Sequence, residues 1–204
     1  MKILQTLQML ALITVSFVTS ANTDDTFDSI SAGIKITKPA SWHFLSAQQN
    51  IENLKSVDWR NAKTKDLVLK YAKAPLVAMM KYPEPYEDIN PSLKINIQSL
   101  GDFSADNPNN ILNLILPHLK KAFIDLEVIQ EPIEITLSGL KASYMRFNYN
   151  LVVPGGESFP TTSEMWLVPR GDYYFMIGSG TRQDEKTGSR KEIKEILNTL
   201  IIDK

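Results

Sequence analysis

The sequence predicts an α+β domain in which amphipathic helices cover a mainly antiparallel sheet. Three observations carry this. Short runs such as Ile34-Lys35-Ile36-Thr37 and Leu93-Lys94-Ile95-Asn96-Ile97-Gln98 alternate apolar and polar residues, the period of a half-buried strand. Two longer segments, over 108–125 and 189–202, space their apolar residues three and four apart, so each has one stripe fit for a sheet face. Between them the chain runs as a meander of strands joined by tight turns, which favours antiparallel pairing.

The N-terminus reads as an export signal. Lys2 precedes an apolar run from Ile3 to Val18, and Thr19-Ser20-Ala21 supplies the small residues a signal peptidase requires. Gln5, Thr6 and Gln8 interrupt the run, which favours a cleaved signal over a membrane anchor. The expected organisation is a signal peptide over 1–21, a polar leader over 22–30 and a single domain over 31–204. The product is expected to be periplasmic or secreted, without stable membrane insertion after processing.

The elements then follow in order. Ile34 and Ile36 form a strand ending at Pro39, and Trp42-His43-Phe44 forms a second. Ile51, Leu54 and Val57 suggest a helix over 46–58 capped by Ser46, followed by a lysine-rich stretch over 61–73 that reads as a helix turn or an exposed connector. Leu76-Val77-Ala78-Met79-Met80 reads as a strand buried on both faces. Three prolines at 83, 85 and 91 then force a loop.

Leu93, Ile95 and Ile97 make the next strand, half-buried. The helix over 108–125 has its stripe at Ile111, Leu114, Ile115, His118, Leu119, Ala122 and Phe123. Asp106 or Asn107 is expected to cap it, and Pro117 to kink or split it. Ile133, Ile135 and Leu137 alternate up to Ser138-Gly139. Met145, Phe147, Tyr149, Leu151 and Val153 line one face of the first meander strand, with Tyr144, Arg146, Asn148 and Asn150 on the other. Strands over 163–168 and 173–178 and the helix over 189–202 complete the chain.

Composition excludes several functions. The chain has 22 basic and 23 acidic residues, so it lacks the basic field that holds nucleic acid. With no cysteine it has no disulfide, thiolate metal site or cysteine nucleophile. Only two histidines occur, His43 and His118, and His118 on the apolar stripe reads as a core or boundary residue. Met79 and Met80 point to opposite faces of a strand and cannot jointly chelate copper.

No Gly-x-Ser-x-Gly elbow is present, and Gly178-Ser179-Gly180-Thr181 lacks the phosphate-loop lysine and reads as a flexible strand end. Glu84, Glu87 and Asp88 read as a solvated acidic loop, since no calcium-loop pattern surrounds them. No catalytic residue, cofactor or metal is expected. Trp166, Tyr144 and Tyr174 are placed on the second sheet face, where exposure would make them a partner or ligand surface.

Several of these segments resemble the PsbP-like superfamily, which takes in PsbP, LpqN and DcrB-like proteins. The resembling pieces begin with Gly33-Ile34-Lys35-Ile36-Thr37-Lys38-Pro39-Ala40-Ser41-Trp42. They continue with Gly139-Leu140-Lys141-Ala142, with Gly171-Asp172-Tyr173-Tyr174-Phe175-Met176-Ile177, and with the terminal amphipathic helix. The resemblance implies a three-layer α/β/α sandwich around a mainly antiparallel sheet and a binding or assembly role without shared catalytic residues. Without a cysteine after the signal, the lipid anchor of LpqN and DcrB does not carry over.

The sequence therefore favours an exported, non-enzymatic binding protein that acts on another envelope protein. A small-molecule or lipid carrier with a cavity between sheet and helices is the alternative. A hydrolase using a carboxylate with His43 or His118 is the third reading.

Overall fold

Burial on both faces of the central strands organises the computed structural model, which describes residues 25–46, 48–49, 52, 75–101, 103–153, 156–186 and 188–203. The signal expected over 1–21 and the lysine-rich stretch over 61–73 lie outside these residues. Of the helix expected over 46–58, residues 48, 49 and 52 are described and helical. Ser46 Oγ accepts the Gln49 amide at 3.2 Å, the cap expected there.

The chain forms β1 (Thr26–Ser29), β2 (Ile34–Thr37), β3 (His43–Phe44), β4 (Val77–Met80), β5 (Ser92–Ser99), α1 (Asn109–Ala122) and β6 (Ile124–Leu137). It continues through β7 (Leu140–Val152), β8 (Ser158–Arg170), β9 (Tyr173–Arg182), α2 (Ser189–Asn198) and β10 (Ile201–Ile202). Among the described residues, seven strands make the main sheet in the order β3-β4-β5-β9-β8-β7-β6, all antiparallel to their neighbours. Three more make a small sheet, β1-β2-β10.

Alternation along each strand divides the side chains between two cores. On one face Leu93, Ile95, Trp166, Val168, Phe175 and Ile177 pack under α2 and the small sheet. On the other, Met145, Phe147, Leu167, Tyr174 and Met176 pack under α1. The result is the expected α+β, three-layer architecture, with the small sheet beside α2 in one outer layer.

That small sheet was not foreseen. Residues 26–29, expected within a loose leader, pair with β2, and Phe27 packs against the core. The terminal helix ends at Asn198, and Ile201 and Ile202 pair with Lys35 and Ile34 instead of continuing it. Glu192, in the first turn of α2, ties this layer to the main sheet. It accepts from Trp42 Nε1 at 3.1 Å and pairs with the Lys81 ammonium at 2.9 Å. Trp42 itself is fully buried.

Helix α1 differs from expectation in phase. Its buried residues are Ile111, Leu112 and Leu116, while Leu114 and His118 are exposed. Leu112 and Leu116 continue a stripe that also suits the sequence, because apolar residues at 111, 112, 114, 115 and 116 satisfy two overlapping faces. Neither Asp106 nor Asn107 caps the helix; Pro108 holds the cap position without a side-chain bond. Pro117 lies within one continuous helix, on its exposed side, so the turn is not broken at the core.

The corrected phase gives a direct test. Leu112→Ala should lower the unfolding free energy by about 2–5 kcal/mol, as for a fully buried leucine. Leu114→Ala, at a position 56% exposed, should change it by no more than about 0.5 kcal/mol. Urea denaturation of the two variants measures both.

Candidate functional site

The aromatic trio singled out from the sequence does not form a surface. Trp166 is 5% exposed and Tyr174 is 7% exposed. They also belong to opposite cores, Trp166 and Tyr144 under α2 and Tyr174 under α1. The reason is strand parity: Trp166 pairs with Tyr144 and with Ile177, three residues from Tyr174, so Tyr174 faces the other way. Tyr144 and Trp166 do touch, with ring centroids 5.4 Å apart. The Tyr144 hydroxyl donates to Glu164 Oε1 at 2.6 Å, and Glu164 is buried. Burial first, and this carboxyl second, hold the Tyr144 hydroxyl well above the ordinary tyrosine pKa.

A cleft opens instead on the α1 face, at the end of the sheet that α1 does not reach. Helix α1 packs on β6 and β7. Toward β5 and β9 the cover is the loop between β4 and β5. Between this loop and the joined ends of β7 and β8 remains a recess of about 360 Å³, at the lower end of the range of about 300–1,000 Å³ typical of small-molecule sites.

The recess exists because the floor carries little side-chain volume. Ser92 pairs with Gly180 and Lys94 with Gly178 across β5 and β9. A Cβ on Gly178 would meet nothing within 4 Å, and one on Gly180 would meet only Ser92 Oγ at 3.5 Å. Interior strand glycines of this kind mark a close approach of a ligand or backbone. The stretch Gly178–Thr181 is thus inside β9, not a flexible strand end.

The walls are apolar and aromatic: Met80, Ile89, Tyr149, Leu151, Val153 and Phe159. Tyr149 packs against Phe123, with ring centroids 4.2 Å apart and planes tilted by 39°, and lies both in the recess lining and against the core under α1. Its hydroxyl lies 3.4 Å from Ser163 Oγ, and burial pushes its pKa up while that hydrogen bond lowers it.

Lys94 is the cation in this lining. Its ammonium makes no hydrogen bond or ion pair among the described residues, and desolvation holds its pKa below the ordinary lysine value of 10.5. The half-buried strand read from Leu93, Ile95 and Ile97 is correct in its alternation. Its polar side, however, faces a partly covered recess as well as water.

The acidic loop forms the rim. Glu84 accepts from the Tyr86 amide at 3.0 Å and from Asn90 Nδ2 at 2.9 Å. Asp88 accepts the Ile89 amide at 2.7 Å and pairs with Arg182, which also forks onto Asp184 through two bonds of 2.9 Å. The guanidinium holds the Asp184 carboxyl well below the usual carboxylate range. Two of the three acids expected to be merely solvated therefore brace the loop, and Glu87 remains exposed.

Both histidines are exposed, and neither lines the recess. His118 is thus not the core or boundary residue expected. Among the described residues no group of three or more histidine or acidic side chains is placed to hold a metal ion. Among the same residues no helix is long and apolar enough to cross a membrane.

No family model matches the chain, and no curated protein matches it in sequence. Solved structures do match. LpqN, involved in cell envelope biogenesis of Mycobacterium tuberculosis, superposes with a TM-score of 0.54 at 15% identity, over 84% of this chain and 83% of that one. The chain has the PsbP-like fold. Cyanobacterial PsbP from Synechocystis sp. PCC 6803 gives a TM-score of 0.48 at 10% identity, covering 87% and 91% of the two chains. The Saccharomyces cerevisiae Ran-binding protein Mog1p gives 0.49 at 9% identity, covering 87% and 94%. At 15% identity the likeness to LpqN shows the fold alone, and the recess must be read from this chain's own residues.

The Tyr144–Glu164 contact belongs to stability. Tyr144→Phe removes a donor from a buried carboxyl whose Oε2 already lacks a partner among the described residues. It should destabilise the fold by about 1–3 kcal/mol in chemical denaturation and leave the recess on the other sheet face unaltered.

Proposed function

We propose that the chain is an exported, non-enzymatic binding domain that takes a small ligand into the recess between the β4–β5 loop and the floor of β5 and β9. One observation carries this reading: an open recess floored by Gly180 and Ser92 contains a lysine ammonium that has no partner among the described residues. A structural role alone would favour filling such a site with an apolar side chain.

The reading puts the carrier ahead of an aromatic docking surface for an envelope protein, because Trp166 and Tyr174 are buried. It also stands ahead of a hydrolase, since both histidines are exposed and away from the recess. Export is supported by the pattern over residues 1–21. An envelope setting is also supported by LpqN, whose fold the chain shares and which is described as involved in envelope biogenesis.

Native mass spectrometry of the protein recovered from an envelope extract without denaturation tests the reading. The expected spectrum has a discrete increment above the mass of residues 22–204. Gly180→Val, which fills the floor with a residue suited to strands, should lose that increment. The bare polypeptide mass for the wild type, with an unchanged spectrum for Gly180→Val, would count against a carrier.

A further inference from the structure

We propose that the recess selects an amphipathic monocarboxylate, a single acid group on an apolar or aromatic body, with the acid seated at the Lys94 ammonium. This rests on the carrier reading and names its ligand. Charge placement decides the class. Lys94 is the one cation among the described lining residues, and it lies on the strand floor, opposite Gly178, which carries no side chain of its own. An ammonium partly withdrawn from water, with no counter-charge among the described residues, carries a penalty that an anion brought to it relieves.

The acids of the lining do not supply this counter-charge. Glu84 and Asp88 are engaged by loop amides, Asn90 and Arg182. Glu87 and Glu157 are exposed at the mouth, where water screens them. They do not neutralise the floor, but they set a limit on the ligand. A second negative charge would lie against this acidic mouth, which disfavours nucleotides and other polyanions.

The walls determine the rest of the molecule. Ile89, Leu151, Val153 and Phe159 present apolar surface to anything that enters, and a free inorganic anion would leave that surface wet. The volume of about 360 Å³ suits one short acyl chain or a small ring system and is too small for a two-chain lipid.

The test titrates three probes, the surfactants below their micelle concentrations: decanoate, decyltrimethylammonium and inorganic phosphate. Backbone amide shifts of Ser92, Leu151 and Gly180 are followed in the full-length mature protein. Decanoate is expected to move these amides, and the other two probes are not. Lys94→Met should weaken decanoate binding by about tenfold or more, the loss of one charge-assisted contact. Gly180→Val should abolish it.

If decyltrimethylammonium binds as well as decanoate, or Lys94→Met binds decanoate unchanged, the acid anchor is overturned and the carrier reading stands. Phosphate binding as tightly as decanoate would overturn the apolar body. If no probe moves the three amides, both the ligand class and the carrier reading fail. Should Gly180→Val not fold, the comparison of Lys94→Met with wild type decides alone.

Discussion

The fold depends on excluding water from both faces of β8 and of β9 as far as Ile177. Leu167, Phe175 and Ile177 have no exposed surface and successive side chains around them are divided between the two cores, while Leu93 and Ile95 of β5 are buried on the α2 side alone. Each such side chain contributes about 1.5–3 kcal/mol by burial, so the outer layers are held on by the sheet as much as they protect it. On the α2 side the cover is supplied by a helix together with the small sheet, and Glu192 fastens the two layers through Trp42 and Lys81. On the other side a 14-residue helix sits over β6 and β7, and a loop rich in proline and acid must cover the remainder.

The recess follows from that division of labour. Where helix and loop fail to meet, an ordinary core would place large side chains on the floor. This chain places glycine at 178 and 180, serine at 92 and lysine at 94. The lysine is the costlier choice, because a partly desolvated charge without a partner among the described residues subtracts from stability, whereas a methionine of similar length would add to it. The loop above is not a loose flap. Asn90 accepts the Tyr82 amide at 3.1 Å and donates to the Tyr82 carbonyl at 2.9 Å, and Asp88 is held by Arg182. A braced rim over an unfilled floor is a preorganised site, which lowers the ordering cost of binding.

Much of the architecture was legible because period-two and helical patterns report burial directly. The strands around Ile34, Met79, Leu93 and Met145, and the helix over Ile193, Ile196 and Leu197, lie where their patterns place them. The phase of α1 was not, since its run of apolar residues supports two stripes and only the sheet beneath chooses Leu112 and Leu116 over Leu114 and His118. Strand β1 was hidden by polar composition, and β10 by its continuity with a helical pattern.

The site was illegible for a different reason. Alternation shows that Lys94 and Leu93 face opposite ways, but not that the face of Lys94 is partly covered. The available signal was Gly178-Ser179-Gly180, two glycines on one face of a strand, which marks missing volume on that face. The trio Trp166, Tyr144 and Tyr174 failed through parity, because an odd spacing along β9 turns Tyr174 away from Ile177, the partner of Trp166.

The ionisation of Lys94 tests the account most directly. Burial lowers its pKa in the free protein from 10.5. In the window between the lowered value and the unfolded one, the unfolded chain binds the proton that the folded chain has released. Stability contributed by this group therefore rises with pH through that window. A carboxylate seated at the ammonium acts in the opposite direction and raises the pKa. The measurement is an NMR titration of the Lys94 Nζ nitrogen with and without bound decanoate. The account predicts a pKa below that of exposed lysines in the free protein and an upward shift in the complex. A Lys94 that titrates like an exposed lysine in both states would contradict it.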